Sequence, residues 1–419
     1  MGHGWNSLAT TNGTRYGVLG LHKVKMSPPS NSEEYFSPQL VGSGWSGDLE
    51  WGVLAACSAL YYSSSSPSTS GAQYFADAMA YGMHGFVGYR STAPGWPTDE
   101  GIAERFISNC FGDPYRQLDP MTIREAWVEA NVYYSQSSRW ACLFHDDNEN
   151  DYLPGSGYSM GADSHNRNDI YFWSSSTTRA PVQDTALHTE GGLHADSAAQ
   201  PDREASLGIA NRLIEDARAL ESGALGATVL YSGDGLAHAI VYESGALEFR
   251  RGALLGDGKP VAKDDALNMA SRFVTNGGGL PSDAVSCSVT EIRRTRVGQP
   301  HASSESIAWA VEYRQVLGSL PVYGQNVIRV LVTAGGVTAY DRMWLPASST
   351  PSSETLPSEA EALAQALQAV DRCQGTPDVV GLERCLWRES VRDTLIRPAW
   401  RIDVSDGQIV YVTDSGCLL

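Results

Sequence analysis

The sequence predicts an α/β domain with a mostly parallel sheet and flanking helices over residues 1–180, followed by an α+β region of helix-plus-hairpin units. Three observations carry that expectation. Short apolar runs bounded by glycine, GVLAACSAL (52–60) and MHGFVGY (83–89), read as strands buried on both faces. Segments of helical periodicity lie between and after them, so strand and helix alternate. Beyond about residue 205 the rhythm changes to helices followed by alternating strands with Gly-containing turns.

Taken in order, GAQYFADAMAYG (71–82) places apolar residues at helical spacing. TDEGIAERFISNCFG (98–112) opens on Thr and two acids and closes on Gly, a complete set of helix start and stop signals. MTIREAWVEANVYY (121–134) is a further amphipathic helix. The chain turns polar from Ser174, and residues 181–204 read as a linker. A module over 205–348 then carries a helix in ASLGIANRLIEDARAL (205–220) and short strands in GATVLYSGDGLAHAIVYESGALEFRR (226–251). It continues with a helix in KDDALNMASRFVTNGGG (263–279) and a hairpin around Gly335-Gly336. A smaller α+β unit fills 349–419: a Ser/Pro-rich break, a helix to about Val370, and a hairpin turning at Asp406-Gly407. Helix followed by hairpin thus recurs, as in a degenerate repeat.

Of the 419 residues 42% are hydrophobic and 19% charged, a globular composition. The formal charge of −18 argues against a general nucleic-acid binder, which needs clustered Lys and Arg. No stretch approaches the roughly 20 apolar residues of a membrane helix. The start carries no basic, apolar secretory signal. Seven cysteines leave at least one free thiol, and Cys373 and Cys385 are close enough in sequence for a local disulfide. No CxxC or Cys/His spacing calls for a metal, and no cofactor motif is present.

The chemical candidates begin with Cys57, at the end of an apolar strand. A thiol at the carboxyl end of a parallel strand lies where α/β folds bind ligands, but it attacks only as a thiolate with a cationic neighbour. Alone, such a cysteine reads as a small core residue. His3, followed by Gly4, stands upstream by about 50 residues, the order and separation found in caspases. His84 repeats the His-Gly pair on the next strand, and reads as structural or pocket-lining. Arg90 reads either as a pocket residue for an acidic side chain or as a solvated or salt-bridged arginine. GYSMG (157–161) matches the nucleophile elbow around Ser159 but lacks the strand before and helix after. HDDNENDYLPG (145–155) opens like a calcium loop but lacks its sixth-position Gly and closing Glu. His188 and His194 lie in the polar linker with no pattern to complete a metal site.

GHGW followed by EWGVLAACSAL resembles the His-Gly and Ala-Cys motifs of clan CD cysteine peptidases, the caspase, legumain and gingipain group. The longer run GDLEWGVLAACSAL, MHGFVGYRSTAP and a helix ending in EAW resembles a bacterial family known as a domain of unknown function. The resemblance implies a caspase-like fold and a cysteine peptidase acting on peptides or proteins. Cys57 would be the nucleophile, His3 the acid/base, and the N–H groups of Gly4 and Cys57 the oxyanion donors. That group places strands before its His, whereas Met1 and Gly2 alone precede His3. The alternative is therefore a non-catalytic binding or regulatory protein on a degenerate scaffold. The second half resembles propeptide modules of the FTP and PepSY type, which implies an extracytoplasmic setting. A generic α+β binding domain stands beside that reading.

Overall fold

The structure, a computed structural model, describes three strands before residue 37 by their backbone. It then describes most of 50–179 and 203–418, apart from short stretches that include 56–58, 63–70, 135–138, 163–168, 298–303, 346–355 and 389–395. β1 (Gly2–Ala9), β2 (Arg15–Leu21) and β3 (Glu34–Phe36) form an antiparallel sheet of their own. Next come β4 (Trp51–Leu54), α1 (Gly71–Met79), β5 (Gly85–Tyr89), α2 (Thr98–Phe111), α3 (Ile123–Tyr133), β6 (Trp140–His145) and β7 (Ile170–Arg179).

The rest of the chain repeats one unit three times, a helix followed by an antiparallel meander. The first unit is α4 (Arg203–Leu213) with β8 (Arg218–Ser222), β9 (Ala227–Tyr231), β10 (Ala237–Tyr242) and β11 (Leu247–Arg251). The second is α5 (Lys263–Asn276) with β12 (Ala284–Arg296), β13 (Ser304–Leu317), β15 (Val327–Thr333) and β16 (Gly336–Met343). Between its middle strands lies an extra short strand, β14 (Leu320–Gly324). The third is α6 (Glu359–Gln374) with β17 (Val379–Arg388), β18 (Arg397–Val404), β19 (Ile409–Thr413) and β20 (Gly416–Leu418). In each unit the helix packs on the later strands of its own meander.

The pairings order one large sheet as β4-β5-β6-β7-β12-β13-β15-β16-β11-β10-β9-β8. The expected mostly parallel, caspase-like sheet is therefore not the one that forms. β4 and β5 pair in parallel, and every other registered pair in this order is antiparallel. The physical reason lies in what doubly buried strands report. GFVGY and WACLFH are buried at every position, as their apolar runs require. That burial arises because helices cover both faces, and apolar periodicity carries no information about strand direction. On one face Phe86, Ala141, Leu143 and Phe172 meet Ala72, Phe75 and Met79 of α1. On the other, Val87, Tyr89, Cys142, Phe144 and Trp173 meet Ile102 and Phe106 of α2 and Trp127 of α3. Each such large side chain stabilises by about 1.5–3 kcal/mol.

The polar run from Ser174 is likewise a strand in part: β7 continues to Arg179 and pairs with β12 over Tyr171–Arg296 to Arg179–Ser288. The first region and the second unit thus share backbone hydrogen bonds. The third unit joins through β14, which pairs antiparallel with β13 and parallel with β17. Cys385 is a free buried thiol whose Sγ lies 3.5 Å from the Ala399 carbonyl, so the local disulfide with Cys373 is not formed.

Helices α2 and α3 also reach the second and first units through a buried ionic chain. Glu129 accepts from Arg105 at 2.6 and 2.7 Å and from Arg250 at 2.6 Å. Arg250 continues to Asp341 at 2.6 Å, Asp341 to Arg329 at 3.1 Å, and Arg329 to Glu312 at 2.8 Å. Arg105 also reaches Glu248 at 3.0 Å and lies 3.4 Å over the Tyr133 ring. Buried charges survive only when paired and hydrogen-bonded in this way.

Candidate functional site

His3 and Gly4 lie on β1, where His3 stands opposite Gly20. Their side-chain positions fall outside the described residues, as does Cys57, which follows the carboxyl end of β4. β1 and β4 belong to different sheets, so the backbone does not bring His3 and the Cys57 strand together by pairing. Ser159 is exposed on a loop, preceded by turns rather than a strand. His188 and His194 fall outside the described residues. The acidic stretch after His145 forms a single 3-10 turn, Asp146–Asn148. Burial raises the Asp146 carboxyl above its ordinary value, and the Glu149, Asp147 and Asp169 carboxylates add to it. Among the described residues no group of three or more His, Cys, Asp or Glu is arranged to hold a metal.

His84 sits at the amino end of β5 and is 1% exposed. Its Nδ1 lies 2.5 Å from Asp151 Oδ2, and its Nε2 lies 2.9 Å from Glu50 Oε2. An ionised carboxylate only accepts, so satisfying both contacts takes the doubly protonated ring. The backbone repeats the connection: His84 N–H donates to the Glu50 carbonyl at 2.8 Å, and His145 N–H donates to the His84 carbonyl at 3.1 Å. Asp151 also accepts from Trp51 Nε1 at 2.9 Å and from Gly161 N–H at 2.6 Å. Burial alone would raise its carboxyl. The hydrogen bonds from His84, Trp51 and Gly161, with the His84 charge, outweigh burial and hold it below its ordinary value. These contacts tie β4, β5 and both ends of the loop 151–161 to one point.

A second cluster lies at the opposite end of β5. Arg90 follows Tyr89, and its N–H donates to the Arg139 carbonyl at 2.8 Å, which continues the Tyr89–Trp140 register by one pair. Arg90 and Arg139 therefore stand directly opposite each other, an arrangement that costs stability for like charges. Arg90 Nη1 donates to Ser174 Oγ at 3.0 Å, and Ser174 is the register partner of Arg293 on β12. Arg90 is half-buried and Arg139 exposed. Burial lowers the Arg90 guanidinium from its ordinary value, and Arg139 and Arg293 lower it further. The sequence marked His84 and Arg90 but not their surroundings. Glu50, Asp151, Arg139 and Arg293 are distant in sequence, and strand register alone places them.

Residues 30–185 match the model of a family described as a domain of unknown function (DUF6345). That match supplies the domain-of-unknown-function part of the resemblance and gives no support to the clan CD part. No curated protein matches the chain. Among solved structures the chain is similar to the YpeB C-terminal domain of Bacillus megaterium, at 9% identity and a TM-score of 0.27, covering 53% of this chain and 92% of that one.

Proposed function

We propose that this chain is a non-enzymatic binding or regulatory protein, in which the first region and the repeated units act as one body. The observation that carries the reading is the occupation of His84. Both ring nitrogens face carboxylate oxygens, so the described His–Asp pair has no nitrogen left to take a proton from a nucleophile. The second support is the ionic chain from Arg105 to Glu312, which fastens helices of the first region to two of the repeated units. Such a frame suits a surface whose groups are held for recognition.

A second reading, a cysteine hydrolase acting on peptides through Cys57, is favoured by one specific observation. Leu60 N–H donates to the Tyr89 carbonyl at 2.9 Å, so Leu60, three residues after Cys57 in sequence, lies beside the end of β5 that leads to Arg90; a thiol with a cation near it would have a lowered pKa. Its oxyanion donors would be the N–H groups of Gly4 and Cys57, with His3 as acid/base.

Incubating the full chain and its Cys57→Ser variant with a casein-derived peptide mixture, read by mass spectrometry, separates the two. The binding reading expects identical peptide profiles. Cleavage products that appear with the parent chain and vanish in the variant would replace it with the hydrolase.

A further inference from the structure

We infer that Arg90, Arg139 and Arg293, gathered around Ser174 on one face of β5, β6, β7 and β12, form a binding site for an oxyanion, a carboxylate or a phosphate. This rests on the binding reading above and names the class of ligand it would take.

The face is fixed by register. Side chains two apart on a strand share a face. Gly88 pairs with Ala141, Ala141 with Ser174, and Ser174 with Arg293. Arg90 is two residues beyond Gly88, and Arg139 two before Ala141, so the three arginines and Ser174 share one side. Toward the amino end of β5 that side is filled by Phe86, Leu143, Phe172 and α1. The arginines lie where this apolar packing stops.

The charges there are not neutralised from within. Among the described residues neither Arg90 nor Arg139 has a carboxylate partner; Arg90 Nη1 has Ser174, and the Arg139 N–H has Ser91 Oγ at 2.8 Å. Arg293 is shared: Nε donates to Ser304 Oγ at 2.9 Å, and Nη1 lies 3.6 Å from Glu291. Glu291 is the carboxylate that the described contacts place beside these arginines, and it is also bonded to Ser306. Three guanidiniums against one carboxylate leave a positive corner on a chain of formal charge −18. Arg250 and Arg329, by contrast, each hold two carboxylates. Two arginines placed opposite each other, one half-buried, are stabilised by an anion between them. Guanidinium forks suit the planar or tetrahedral oxygens of a carboxylate or phosphate.

The test is isothermal titration of the full chain with inorganic phosphate and, separately, with an end-blocked Asp-Glu-Asp tripeptide, at about 20 mM ionic strength so that screening is weak. Arg90→Gln is the site variant. Arg272→Gln, an exposed arginine on α5, is the control for net charge. The site predicts saturable binding of at least one probe, weakened about tenfold in Arg90→Gln and unchanged in Arg272→Gln. Which probe binds more tightly separates phosphate from carboxylate. Thermal unfolding without ligand checks the variant's fold: removing one of two opposed charges should leave the melting temperature level or raised. No binding of either probe up to about 10 mM, or equal weakening by both substitutions, would overturn the site. The reactivity of Cys57 in the parent chain tests the binding reading separately.

Discussion

Asp151 is 2% exposed, yet three donors converge on its two oxygens and keep it ionised. Its folded-state carboxyl is held below the ordinary value, so it binds a proton less readily than in the unfolded chain. The resulting stability is fully present above the unfolded value, about 3.9, and is lost as the pH falls through the lower folded value. Asp151→Asn removes a charged acceptor from His84 and Trp51 and should cost about 2 kcal/mol at pH 7 in urea unfolding followed by tryptophan fluorescence. The gap between parent and variant should shrink as the pH is lowered below about 4. A gap unchanged at pH 3 would mean that His84 and Asp151 are not the ionised pair described. None of this was readable from spacing. His84 and Asp151 are 67 residues apart, and Glu50 is an unremarked acid at the foot of an apolar run. The motif pointed to the histidine, and the strands chose its partners.

At the scale of elements, α2 and α3 are positioned by both faces of their own amphipathicity. Thr122 caps α3 by accepting from Glu125 N–H, and Trp127 packs between Tyr89 and Phe106. On the far side Glu129 holds Arg105, Arg250 and Asn109 at once. Glu129→Ala would leave two buried guanidiniums short of a partner, and should destabilise by about 3–5 kcal/mol, measured by urea unfolding. A loss below about 1 kcal/mol would show that the chain of charges is not a structural joint. Local signals did mark many elements. The acids after Thr98 and the glycine at 112, with φ of +74°, bound α2 where the sequence placed it. The hairpin near Gly335-Gly336 forms with Thr333 paired to Gly336, so its turn residues are Ala334 and Gly335. What local signals could not give was direction. A run such as GFVGY looks the same whether its neighbour runs parallel or antiparallel, and that ambiguity underlies the expectation of a mostly parallel sheet.

Over the whole molecule, the polar residues 174–179 show why the boundary between the two parts was hard to see. SSSTTR has the composition of a linker, but it extends β7 along β12 and so carries the sheet from the first region into the second unit. Ser174 accepts from Arg90 Nη1, and an apolar residue there would take that hydrogen-bond acceptor away. The three helix-plus-meander units extend this assembly, with the third attached by β14 and by the Arg401–Tyr323–Glu383 contacts. On the reading proposed above, the molecule would carry a binding surface and Cys57 would not act as a nucleophile. The most direct measurement is the rate of alkylation of Cys57 by iodoacetamide across pH, mapped by mass spectrometry in the parent chain and in His3→Ala. A thiol of ordinary character is expected, slow at pH 6, accelerating toward about pH 8.5, and indifferent to His3. Fast modification at pH 6 that slows in His3→Ala would reveal a thiolate paired with an imidazolium, and would contradict it.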